Sequence, residues 1–186
     1  MPVTAVDRDA ALIVIDLQKG LSGRDLAPHS FADVVERSAA LTDAFSARGL
    51  PVVIVTVDAV PPGRTDLSGP PMEFPSGWSD SVAPFSDAPD AWRVTKRSPG
   101  AFTETPLHRL LRERGVTQVV VVGVSTSIGV EMTARQAYEL GYNVTVALDA
   151  CSDSEGARHA YSAASVLPKV AETGSAADVI AALTRA

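Results

Sequence analysis

Cysteine occurs once in the 186 residues, as Cys151, so neither an intrachain disulfide nor a cysteine-based zinc site can form. Histidine is almost as scarce. His29, His108 and His159 lie far apart, the latter two on predicted helices, and none stands beside Asp58, so the spacing of a dedicated zinc site is missing. The glycines have neither phosphate-loop nor dinucleotide-fingerprint spacing, and no cofactor is expected. Runs of lysine or arginine are absent and the net charge is −6, which argues against nucleic acid or an anionic membrane as partner. The apolar runs are far too short to cross a bilayer. The first residues lack a basic segment followed by a long apolar one, so a cytoplasmic protein without a signal peptide is expected.

What is present is an ordinary globular balance, 46% hydrophobic and 20% charged, which excludes wholesale disorder. The length fits a single domain over residues 1–186. Residues 11–15 and 51–57 are short, β-branched apolar runs of the kind buried on both faces of a sheet, and 119–122 is the most apolar of all. A short strand is predicted at 93–96 and another at 143–148. Helical periodicity runs over 30–48, 106–114, 128–140 and 154–166, and Ser175 caps a last helix through Leu183. Strands alternating with helices predict a three-layer α/β/α fold around a mainly parallel sheet. Residues 58–89 hold seven prolines and read as a long irregular loop, either a cover over a site or a surface excursion.

In such a sheet ligands bind beyond the carboxyl ends of the strands. Asp16, Asp58, Lys96 and the segment 123–129 all follow strand-like runs and should gather there. Asp16 reads as a turn cap or as a general acid or base tuned by burial and a nearby cation. Lys96 reads as a solvated lysine or as that cation. Gly123-Val-Ser-Thr-Ser-Ile-Gly129 is an ordinary strand–helix connection or, through its backbone N–H groups, a seat for a carboxylate or oxyanion. Cys151 reads as a small packing residue.

Residues 11–18, ending Asp16-Leu-Gln18, resemble the first strand of the isochorismatase-like hydrolases. Lys96-Arg-Ser-Pro-Gly-Ala-Phe102 is similar to their catalytic-lysine segment, and 123–137, Gly141-Tyr142 and Asp149-Ala150 to the nucleophile turn and the strand after it. The resemblance implies the isochorismatase-like, Rossmann-like architecture, a small-molecule substrate and a homo-oligomer, dimer or tetramer. It implies catalytic positions for Asp16 and Lys96, with Gly129 where the amide-cleaving members carry their cysteine. Gln18, Val124, Ser125 and Ile128 then fall at substrate-binding positions, and the family's non-proline cis peptide falls between Val124 and Ser125. Aromatic residues tend to follow the Asp-x-Gln in isochorismatases; here Lys19, Gly20 and Leu21 follow.

Without the thiol no thioester can form at Gly129. Isochorismatases also resemble this sequence in carrying glycine there, and their vinyl-ether hydrolysis needs only an acid and water. That chemistry, with Asp16 as the acid, is the expected function. The alternatives are amide hydrolysis through Ser125, Thr126 or Ser127, and a non-catalytic protein that binds a small carboxylate.

Overall fold

Strands without a polar face must be covered on both sides, and this chain meets that demand with one parallel sheet. The computed structural model describes residues 3–66 and 73–185. Its strands are β1 (Ala10–Ile15), β2 (Val52–Val57), β3 (Trp92–Lys96), β4 (Gln118–Val124), β5 (Asn143–Ser152) and β6 (Glu172–Gly174). They lie in the order β3-β2-β1-β4-β5-β6, every pairing parallel. The helices are α1 (Phe31–Ser46), α2 (Leu107–Glu113), α3 (Glu131–Glu139), α4 (Gly156–Tyr161) and α5 (Ala176–Leu183). None of the described helices is long and apolar enough to cross a membrane.

Alternate residues of the strands feed two apolar layers. On one face Val34, Leu41 and Phe45 of α1 and Val179 and Ala182 of α5 pack with Leu12, Val14, Val120 and Val122. On the other, Leu107 and Leu111 of α2 and Ala134 and Ala137 of α3 pack with Ile13, Val53, Val119 and Val121. Each fully buried Leu, Ile or Val is worth roughly 1.5–3 kcal/mol, so the sheet centre is the most firmly held part of the chain. The adjacent strands β1 and β4 are followed by helices on opposite faces, which opens a crevice at their carboxyl ends. Gly123 lets the two strands meet there: its φ is +117°, and a β-carbon on it would lie 2.1 Å from the Ile15 carbonyl oxygen.

Several boundaries differ from those expected. Helix α2 starts one residue later, at Leu107, because the Thr105 hydroxyl donates to the Ala101 carbonyl while accepting only a long 3.3 Å bond from Leu107 N. The segments after β4 and within 154–166 each contain a π-type turn, Thr126–Val130 and Ser162–Val166. Strand β5 runs on to Ser152 across an irregularity in its pairing with β4, and the short edge strand β6 carries no periodic signal. The 58–89 segment is anchored in its later part. Phe85 is fully buried in the first apolar layer, and Arg93 Nη2 donates to the carbonyls of Phe85, Ser86 and Ala88. Residues 67–72 of the expected cover lie outside the described residues.

Candidate active site

Asp16 leaves β1 with φ at +56°, a left-handed conformation that aspartate tolerates better than most residues, while its N–H still donates to the Val55 carbonyl at 2.9 Å. This sharp exit turns the carboxylate into the crevice. Lys96, last residue of β3, reaches it from the outer edge of the sheet: Nζ lies 2.8 Å from Asp16 Oδ2 and donates to the Pro99 carbonyl at 2.9 Å. The side chains of the pair are 2% and 7% exposed, so a lysine that could have been solvated is interior. Burial raises the Asp16 carboxyl to about 6, against the opposing pull of the Lys96 charge and hydrogen bond. The second oxygen, Oδ1, is buried and has no hydrogen-bond partner among the described residues.

The third element follows β4. The peptide between Val124 and Ser125 is cis, as the resemblance implied, and the π-type turn brings Gly129 back over the end of β1. A β-carbon on Gly129 would lie 3.0 Å from Ile15 Cγ2, 3.2 Å from the Val124 carbonyl oxygen and 3.3 Å from Asp16 Oδ2. A side chain at this position would thus start beside the Asp16 carboxylate, and glycine leaves that space open. Asp16, Lys96 and Gly129, separated by up to 113 positions in the chain, stand around one point.

The Isochorismatase domain family matches residues 10–178 of this arrangement. The chain belongs to the isochorismatase family. The isochorismatase family protein YecD of Escherichia coli O157:H7 is 36% identical over 183 residues, 95% of this chain and 97% of the relative. YwoC of Bacillus subtilis, another isochorismatase family protein, is 34% identical over 171 residues, 88% of each. The solved structure of an isochorismatase family protein from Burkholderia thailandensis superposes with a TM-score of 0.92 at 39% identity, covering 98% of both chains.

The remaining expected positions of this isochorismatase-family chain fare differently. Gln18 is fully buried with its amide spent on backbone: Oε1 accepts from Val57 N at 2.8 Å, and Nε2 donates to the carbonyls of Val57 at 3.0 Å and Trp78 at 3.3 Å. It ties the end of β1 to β2 and the long loop. Val124 turns its side chain into the apolar layer, so only its backbone borders the crevice. Ser125 is half-buried, and its carbonyl accepts from Ile128 N and Val130 N, both at 3.2 Å. Ile128 is 48% exposed at the rim. Gly20 gives way to an aromatic from elsewhere: its missing β-carbon would fall 2.1 Å from the Trp78 indole.

One pairing had no signature in the sequence. The fully buried Thr126 hydroxyl lies 2.9 Å from His159 Nδ1, across 33 residues, and the His29 ring packs edge-on to His159 with centroids 6.1 Å apart. Burial and His29 hold the His159 imidazole below its usual pKa, with Asp153 opposing. Two histidines that looked distant are thus neighbours, because the His29 backbone is bonded to the Ser152 hydroxyl just before α4, and α4 returns over the Thr126–Val130 turn. Thr126 is the hydroxyl held by an imidazole, yet it is closed to solvent. Asp153 Oδ2 takes the Ser127 N–H at 2.7 Å, so a carboxylate of the chain already sits at this helix start. Asp58 pairs with Arg97 Nε at 3.2 Å, and no group of three potential metal ligands occurs among the described residues. Cys151 is buried, its thiol donates to the Ala147 carbonyl, and burial pushes it up to about 12, which suits a packing residue.

Proposed function

We propose that this hydrolase-family member cleaves the vinyl ether of an isochorismate-like small carboxylate, with Asp16 as general acid. The observation that carries the reading is the orphaned Asp16 Oδ1 beside a buried lysine. An unpaired buried acceptor costs about 1–3 kcal/mol, and such a cost is retained where a group must meet something other than its own chain. With its carboxyl raised to about 6 by burial, Asp16 holds a proton in an appreciable fraction of molecules near neutrality.

In this reading Asp16 delivers its proton to the terminal carbon of the enol ether, and the C=C electron pair forms the new C–H bond. Water adds to the resulting oxocarbenium ion and returns a proton to the carboxylate. The hemiketal then breaks its C–O bond as its hydroxyl gives up a proton and the departing oxygen takes one, releasing pyruvate and the ring alcohol. Lys96 orients the ether and balances the carboxylate that forms as Asp16 gives up its proton. Gly129 leaves room for the substrate where amide-cleaving relatives carry cysteine. Amide hydrolysis through a hydroxyl gains support from the Thr126–His159 pair, but a hydroxyl without solvent access is poorly placed to attack.

Pyruvate release from isochorismate, followed through lactate dehydrogenase, tests the proposal. Asp16→Asn should lower turnover by about 10²–10⁴-fold. Because the reactive form is protonated, kcat/KM should be highest below about pH 6 and fall by about tenfold per unit above it. No turnover in the wild type removes isochorismate; unchanged turnover in Asp16→Asn, or activity that rises with pH through this range, sinks the acid role.

A further inference from the structure

Lys96 pairs with the Asp16 carboxylate and Gly129 leaves the space beside it open, from different parts of the fold. Strand β3 is the outer strand, with β2 and β1 between it and β4. The sheet alone gives a long, flexible lysine side chain little guidance at that distance.

Two side chains of α3 bridge the gap. Thr133 is fully buried, and its hydroxyl donates to the Gly129 carbonyl at 2.6 Å, the ordinary bond of a helical threonine to the carbonyl four residues back. The same oxygen accepts from Ala101 N at 3.1 Å, in the loop that follows Lys96. About one turn on, Gln136 Oε1 accepts from Phe102 N at 3.1 Å and Nε2 donates to the Thr103 hydroxyl at 2.6 Å. Gly100 makes way for it, since a β-carbon there would lie 2.2 Å from Gln136 Oε1. The Pro99 carbonyl of this loop holds Lys96 Nζ. The contacts form a chain: Asp16 to Lys96, Lys96 to Pro99, along the backbone to Ala101, and through Thr133 to Gly129, where an added β-carbon would lie 3.3 Å from Asp16 Oδ2.

We propose that Thr133 is a positioning residue that fixes the lysine loop against the Gly129 turn, with Gln136 as a second pin. Threonine suits the task because its branched β-carbon restricts the hydroxyl to few rotamers. Only the activity arm of the test rests on the proposed vinyl-ether chemistry.

The chain has three lysines, so methylation by formaldehyde and borohydride, read by peptide mass spectrometry, reports Lys96 against the exposed Lys19 and Lys169. In Thr133→Val the Lys96 rate should rise by about fivefold or more as local opening becomes easier, with Lys19 and Lys169 unchanged. Thr133→Ser should restore it to within about twofold, and Gln136→Leu should fall between. Gln118→Leu, at the far end of the sheet, should leave Lys96 protected. With isochorismate, Thr133→Val should lose about tenfold in kcat with KM nearly unchanged. A wild-type Lys96 rate in folded Thr133→Val, or an equal rise in Gln118→Leu, overturns the proposal. If Thr133→Val does not fold, a wild-type rate in Gln136→Leu overturns it. Absent turnover in the wild type counts against the proposed function alone, and the labelling ratio still decides the role of Thr133.

Discussion

Polar groups are buried at both ends of the sheet, and the two ends treat them differently. At the amino ends of the strands, Gln118 accepts from Asp7 N at 2.6 Å and donates to the Thr145 hydroxyl at 3.0 Å and the Ala5 carbonyl at 3.3 Å. Beside it the Asp7 carboxylate accepts from the Thr117 hydroxyl at 2.7 Å and Asn143 Nδ2 at 3.0 Å. At the carboxyl ends a charged pair is buried, and one oxygen of it is left unpartnered among the described residues. The amino end also borders a cavity of about 610 Å³, lined in part by Gln118, Tyr142, Asn143 and Lys169. The hollow at the amino end therefore does not distinguish the two ends by unused polar groups. What distinguishes the two ends is whether a buried group's bonding capacity is used up by the protein itself.

Substitutions at each end break or sharpen this contrast. Lys96→Met should have the largest effect, lowering turnover by about 10³-fold and stability by about 3 kcal/mol, because a buried carboxylate then stands without its counter-charge. Near-normal turnover and an unchanged denaturant midpoint would make the pair incidental. Gly129→Ala should be milder. Its β-carbon meets Ile15 Cγ2 at 3.0 Å, the Val124 carbonyl at 3.2 Å and Asp16 Oδ2 at 3.3 Å. Turnover should fall by about tenfold and stability by about 1 kcal/mol. An alanine variant as active as the wild type would show that this space is not where substrate reacts. Gln118→Leu should cost about 1–3 kcal/mol of stability through the groups it leaves unpaired, and hardly change kcat/KM. A loss of activity there would erase the distinction between the ends.

The sheet was legible because its strands announce themselves. Residues 11–15 and 119–122 are apolar without interruption, and such runs have few other places to go than the middle of a covered sheet. Strand β6 escaped because three residues at an edge, Glu172, Thr173 and Gly174, carry no periodicity. The gathering of Asp16, Lys96 and the 123–129 turn was foreseeable from their places after strands, by the rule for open α/β sheets. Their spacing was not, since 2.8 Å between Lys96 and Asp16 depends on how α3 holds the loop that follows the lysine. Gln18 shows the opposite hazard. It stands beside the acid in sequence, yet its amide is consumed by Val57 and Trp78.

Residue types alone determined which chemistries this chain can attempt. A glycine at position 129 leaves that position without a thiol whatever the fold does, because no arrangement of backbone supplies a missing side chain. The tertiary structure decided the rest: that Asp16 and Lys96 are both dry and in contact, that Thr126 faces His159 out of reach of solvent, and that Thr133 ties the lysine loop to the glycine turn. Burial and distance are properties of the packed layers. They shift a carboxyl from its ordinary range to about 6 without any change in the residue that carries it.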